Sequence, residues 1–152
     1  MKKYKDFVID EEDYLKVKQE VDKLIQDNWE DTGIEGLKLN PDWSAYDVMY
    51  SAGMFGVYTV RKDNVLVGYL GVIARNHPHY KDYIFASNDV LFLDKECRKG
   101  LVGYFLLKFC VEDLIKKSVN VLLFNSTVDK PYDSILERLG FKHQENLYVR
   151  KV

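Results

Sequence analysis

Between residues 55 and 94 the chain consists almost entirely of β-forming segments, and this block most narrows the folds open to it. Residues 55–61 run Phe-Gly-Val-Tyr-Thr-Val-Arg, and residues 65–74 run Val-Leu-Val-Gly-Tyr-Leu-Gly-Val-Ile-Ala. Lys62-Asp63-Asn64 between them supplies the polar residues of a tight turn, so the pair predicts a hairpin. Asn76-His77-Pro78-His79-Tyr80 breaks the pattern, and a third strand is expected over 83–94. That strand ends in Val90-Leu91-Phe92-Leu93, apolar on both faces, which points to a central position in a sheet.

Helical patterns flank the β block. Phe7-Val8-Ile9 reads as a short strand, and Asp10-Glu11-Glu12-Asp13 as the N-cap and acidic first turn of a helix. Tyr14, Val17, Val21, Leu24 and Ile25 then recur at helical spacing, predicting a helix over 11–28. Residues 30–42, with Gly33, Gly36 and Pro41, form a long connection, and a short helix follows over 43–52. Beyond the β block a helix is expected over 101–117. Val102, Phe105, Leu106, Phe109 and Leu114 face its core side, and Lys108, Glu112 and Lys116 face outward. A buried strand at 119–124 and a helix at 131–139 come next, the helix bounded by Pro131 and Gly140. Residues from Phe141 onward are expected to close the sheet. The order predicts an α/β fold with a mixed, largely antiparallel central sheet flanked by helices. At 152 residues with no repeat or linker, one domain spanning 1–152 is the expectation.

Composition excludes several classes. Twenty-two Lys and Arg against 24 Asp and Glu leave a net charge of −2, which gives no overall attraction to nucleic acid. No run of about 18 apolar residues is present and the start lacks the apolar core of a signal peptide, so no membrane association is expected. The two cysteines, Cys97 and Cys110, make no disulfide framework, which fits a reducing cytoplasm. His77-x-His79 has only His143 as a further histidine, so no metal site is expected.

Chemistry concentrates in residues 91–103, Leu-Phe-Leu-Asp-Lys-Glu-Cys-Arg-Lys-Gly-Leu-Val-Gly. A buried strand here feeds a loop with two glycines that opens a helix. The first-turn amides of a helix lack intrahelical partners, and the helix dipole places partial positive charge on them. Gly100 and Gly103 permit close backbone approach, and Arg98 and Lys99 add full charges. The combination suits a phosphate or pyrophosphate. It matches neither the nucleotide-triphosphate loop nor the dinucleotide glycine motif.

On these residues the chain resembles the GNAT superfamily of acyl-CoA-dependent N-acyltransferases. Residues 91–107 are similar to that family's strand, pyrophosphate loop and helix. Asn125 falls where the family often has a cofactor-contacting polar residue, and Leu136-Glu137-Arg138-Leu139-Gly140-Phe141 matches its helix end and Gly-Phe. His77-Pro78-His79-Tyr80 together with Arg98-Lys99-Gly100 looks most like small acetyltransferase-like proteins carried by tailed phages. Two departures stand out: Leu101 occupies the position of the middle glycine, and Leu136 that of a tyrosine that protonates the leaving thiolate.

The resemblance implies acetyl-CoA as cosubstrate, held by Leu91, Phe92, Leu93, Arg98, Lys99, Gly100, Leu101, Val102, Gly103 and Asn125. An amine acceptor, a small molecule or a protein, would attack the thioester directly in a ternary complex. Asp89 is the candidate base, with His77 and His79 behind it, and Tyr132 and Tyr148 are the candidate thiolate donors. A homodimer through sheet edges is compatible with the family. The main rival is a non-catalytic module of the same fold that docks onto or inhibits a host protein. A base-modifying enzyme of nucleic acid is disfavoured by the net charge.

Overall fold

The computed structural model describes every residue except Glu35, and at 27, 28 and 30–32 only the backbone. Six strands form one sheet in chain order: β1 (Lys2–Tyr4), β2 (Phe7–Glu12), β3 (Phe55–Lys62), β4 (Val65–His77), β5 (Tyr80–Leu93) and β6 (Val121–Leu123). Neighbours are antiparallel as far as β5, and β5 with β6 is parallel. Four helices accompany them: α1 (Tyr14–Thr32), α2 (Trp43–Ser51), α3 (Val102–Lys116) and α4 (Asp133–Arg138). The mixed, largely antiparallel sheet is the one expected.

Each face of the sheet carries its own core. On one, Tyr14, Val17, Val21, Leu24 and Ile25 of α1 pack on Phe55, Val57, Leu66, Tyr69 and Phe92. On the other, Val102, Leu106, Leu107, Cys110 and Leu114 of α3 pack on Ile9, Tyr58, Val60, Leu70, Val72, Ala86 and Leu93. The central strands bury side chains on both faces, which is why their sequences read as continuous apolar runs.

Three expectations change. The acidic run 10–13 is mostly strand: Asp10, Glu11 and Glu12 pair with Thr59, Tyr58 and Val57, and only Asp13 caps α1, accepting from the Leu15 N–H at 3.0 Å. The charges that suggested a helix start find cross-strand partners instead. Arg61 bonds Glu12 at 2.8 Å and Glu20 of α1 at 2.7 Å, and Lys117 bonds Glu11. The charged N-terminus contributes β1, turned onto β2 through Lys5 at φ 51°. Most consequential, the closing strand expected from Phe141 onward does not form. Phe141 packs on Phe124 with ring centroids 5.2 Å apart, but residues 141–152 follow an irregular path with Leu147, Tyr148 and Val149 exposed. At three residues, β6 offers too short an edge to template another strand.

Arg61 ties α1 to the sheet through two carboxylates while its side chain is only 19% exposed. Arg61→Ala is expected to cost about 2 kcal/mol, because it leaves Glu12 half-buried without its charge-assisted bonds. The corresponding fall in melting temperature is about 4–8 °C by calorimetry. A fall under about 1 °C would mean the network is solvated and contributes little.

Candidate active site at the strand splay

The parallel ladder of β5 and β6 has only three rungs: Phe85 with Val121, Ala86 with Leu122 and Ser87 with Leu123. β5 runs on to Leu93 while β6 stops at Leu123, so from Asn88 onward β5 keeps β4 on one edge and has no strand paired on the other.

At the vertex of the splay, where the pairing ends, a side chain replaces the ladder. Asn88 Oδ1 accepts from the Asn125 N–H at 2.6 Å, and Asn88 Nδ2 donates to the Asn125 carbonyl at 3.2 Å. The same Nδ2 donates its other hydrogen to the Tyr132 hydroxyl at 3.4 Å, and that hydroxyl donates to the Asn125 carbonyl. The Tyr132 N–H is held in turn by Ser126 Oγ at 3.0 Å. Burial, with a smaller contribution from the Asp133 carboxylate, pushes the Tyr132 phenol up to about 12. It is a protonated donor at neutral pH, fixed beside the vertex.

One residue further on, β5 carries a bulge. Asn88 pairs with Val72 and Val90 with Gly71, which leaves Asp89 as the extra residue. The bulge reverses the alternation of the strand: Ala86 packs in the α3 core, whereas Val90 and Phe92 join the α1 core. Asp89 consequently accepts from the Tyr46 hydroxyl of α2 at 2.8 Å, while Asn88 reaches Tyr132, whose ring packs with the α3 core. Two proton-handling groups thus flank the vertex from opposite faces of the sheet.

Aromatic rings line the Asp89 side. Tyr46 lies 5.6 Å from Trp43 and 5.0 Å from Phe55, and Tyr14 lies 5.4 Å from Tyr50. Burial first, then the Asp89 carboxylate, raises the Tyr46 phenol well above the ordinary tyrosine range. Tyr69 sits under this group, 1% exposed, with no hydrogen-bond partner for its hydroxyl, and its phenol is raised by burial and then by Tyr46 and Asp89.

At the far end of β5 lies the glycine-containing loop that the sequence suggested as an anion site. A turn of 3-10 helix at Lys95–Cys97 leads to Gly100, whose φ of 93° a side chain would strain. α3 then begins with Leu101 at the cap position and no side chain bonded to its first-turn amides. A Cβ on Gly103 would meet nothing within 4 Å, so there is room beside this position. Arg98 is exposed but folds back, its Nε donating to the Leu93 carbonyl at 2.6 Å and its guanidinium lying 5.8 Å from the Phe92 ring. Lys99 is exposed.

Of the residues singled out from sequence, Asn125 and Tyr132 meet at the vertex through Asn88, Asp89 follows on the opposite face against Tyr46, and Arg98–Gly103 lie past the far end of β5. Phe92, Leu93 and Val102 are buried in the two cores and Leu91 is half-buried there, so only backbone atoms of these residues are available to a ligand. Tyr148 is 88% exposed in the C-terminal segment, which forms no strand beside β6. Leu136 is buried and offers no hydroxyl. The His77 ring packs against those of His79, Tyr80 and Phe85 near the tip of the β4–β5 hairpin. Among the described residues no group of His, Cys, Asp and Glu could hold a metal ion. Sequence reasoning missed Asn88, Tyr46 and Tyr69. The signal for the first was on the page: Asn88-Asp89 is a polar pair inside an otherwise apolar strand.

No family model matches the chain, and no curated protein matches it either. Solved structures do. An aminoglycoside acetyltransferase from an uncultured soil metagenomic sample, in complex with sisomicin, superposes with a TM-score of 0.73 at 13% identity, covering 97% of both chains. A ribosomal-protein-alanine N-acetyltransferase from Brucella melitensis gives 0.71 at 17% identity over 96% of this chain and 99% of that one. The fold is that of the GNAT acetyltransferases. Another similar structure, a predicted acetyltransferase from Clostridium acetobutylicum with acetyl-CoA, gives 0.69 at 9% identity over 95% and 96%.

Proposed function

We propose that the protein is an N-acetyltransferase that moves an acetyl group from acetyl-CoA to a primary amine of a small molecule or protein. The observation that carries this reading is the splay itself, with Asp89 and Tyr132 on opposite faces of the sheet at its vertex. The residues present suit acetyl-CoA as substrate. The bare edge of β5 offers backbone groups along residues 89–93, and the uncapped first turn of α3 with Lys99 offers amides and charge to a diphosphate. Asn125, its backbone held by Asn88, keeps its own side chain exposed.

In this reading the amine approaches from the α1–α2 face, among Tyr46, Trp43 and Asp89. Holding the amine against the thioester supplies most of the rate. Asp89 takes the proton that an ammonium must lose before its nitrogen can attack, and Tyr46 orients the carboxylate. On the other face Tyr132, whose O–H rests on the Asn125 carbonyl, turns to protonate the departing thiolate. Tyr132 thereby stands in for the hydroxyl absent at Leu136, one helical turn further along α4.

A melting measurement with acetyl-CoA tests the reading. At about 100 times the dissociation constant the ligand adds roughly 2.7 kcal/mol, an upward shift of about 5–10 °C for a chain of this length. Release of free thiol should follow when a polyamine, an aminoglycoside, an amino acid or a peptide is supplied. No shift with acetyl-CoA or CoA would defeat the proposal. A shift without thiol release over the whole panel would favour a cofactor-binding module that does not catalyse.

A further inference from the structure

We infer that Asn88 is the positioning residue that sets the opening between β5 and β6 and holds it ready for the pantetheine arm of acetyl-CoA, an inference that rests on the acyltransferase reading. Where the ladder stops, continued pairing would place residue 88 opposite residue 124 and residue 89 opposite residue 125, and the gap would zip shut. Instead the carboxamide of Asn88 presents an acceptor and two donors, the complement of a strand's own N–H and C=O. It bonds both backbone groups of Asn125. A side-chain amide projecting from β5 spans more distance than a backbone rung. The segment that follows β6 is therefore held off, but at a defined separation.

The bulge at residue 89 makes this placement possible. Were residue 89 to take a regular place in the ladder, residues 88 and 90 would share one face, and Asn88 could not lie with Ala86 while Val90 packs toward α1. With the bulge, Asn88 reaches Asn125 and Tyr132 while Asp89 serves the opposite face. Both Nδ2 hydrogens are then used, by Asn125 and Tyr132, and Oδ1 accepts from Asn125. No isosteric residue can do the same. Aspartate retains the acceptor and loses both donors, and leucine loses everything.

The test separates the clamp from the fold and from the acyltransferase reading. In the ligand-free protein the Asn125 amide should be protected from hydrogen exchange, and Asn88→Ala should abolish that protection while amides in the first turns of α1 keep theirs. Asn88→Ala should also weaken acetyl-CoA binding by about tenfold or more. Binding of adenosine 3′-phosphate 5′-diphosphate, which carries the nucleotide and diphosphate but no pantetheine, should stay within about twofold. Asn88→Asp, which disturbs packing least, should fall between wild type and the alanine variant in both readouts. Unchanged exchange at Asn125, or parallel loss of affinity for both ligands, would overturn the proposal. A wild type indifferent to acetyl-CoA would instead sink the acyltransferase reading, leaving the clamp to stand or fall on the exchange result.

Discussion

Tyr132→Phe is expected to lower kcat by about 100-fold or more with whichever amine the wild type acetylates fastest. Acetyl-CoA affinity should change little, because phenylalanine preserves the ring packing and leaves both Asn88–Asn125 bonds in place. The split matters. A residue that merely braced the vertex would move affinity and rate together, whereas a proton donor moves the rate. Because burial holds the phenol near 12, it stays protonated from pH 6 to pH 10, and its ionisation cannot produce a falling limb of the rate in that range. A wild-type profile that drops with an apparent pKa near 10, and loses that drop in Tyr132→Phe, would contradict the assignment. So would unchanged kcat.

Asp89→Asn should lower kcat/KM by about 10²–10⁴-fold at neutral pH. Asparagine keeps the size and can still accept from the Tyr46 hydroxyl, so the strand and α2 should remain as they are. The defect is expected to shrink as pH rises. An aliphatic ammonium loses its proton unaided near about pH 10, and a base is then no longer required. A pH–rate profile of both proteins with one alkylamine therefore checks the role directly. A constant ratio from pH 7 to pH 10, or no loss at all, would remove Asp89 as the base and return attention to the neighbouring hydroxyls of Tyr46 and Tyr69.

The fold was legible where side-chain periodicity and turn chemistry agree. β3, β4, α2 and α3 lie within a few residues of their expected bounds, because continuous apolar runs and stripes at helical spacing have few alternatives. The errors fall where one residue type serves two structures. Asp10, Glu11 and Glu12 look like a helix start yet belong to a strand, since the bases that pair with them, Arg61 and Lys117, lie 49 and 106 positions away from Glu12 and Glu11. Leu147, Tyr148 and Val149 have strand-like side chains, but a strand needs an edge, and β6 is too short to give one. The loop at 98–103 was readable because glycines and an uncapped helix are local features. The vertex was not, because Asn88, Asn125 and Tyr132 are brought together by topology alone. Asp89 was found for its place in the strand; that it faces away from Tyr132 depends on a bulge that no composition rule announces.

That bulge has a consequence for how the chain can vary. A point substitution in β5 alters one side chain, whereas losing the extra residue at 89 would remove the bulge and still leave Ala86 on the α3 face and Val90 and Phe92 on the α1 face. What such a deletion removes is the Asp89 carboxylate and its bond from Tyr46, not the assignment of Phe92 and Leu93 to their cores. A deep mutational scan is therefore expected to find a one-residue deletion at the bulge less damaging to folding than one within the regular ladder of 84–86, where the side chains past the lesion change faces.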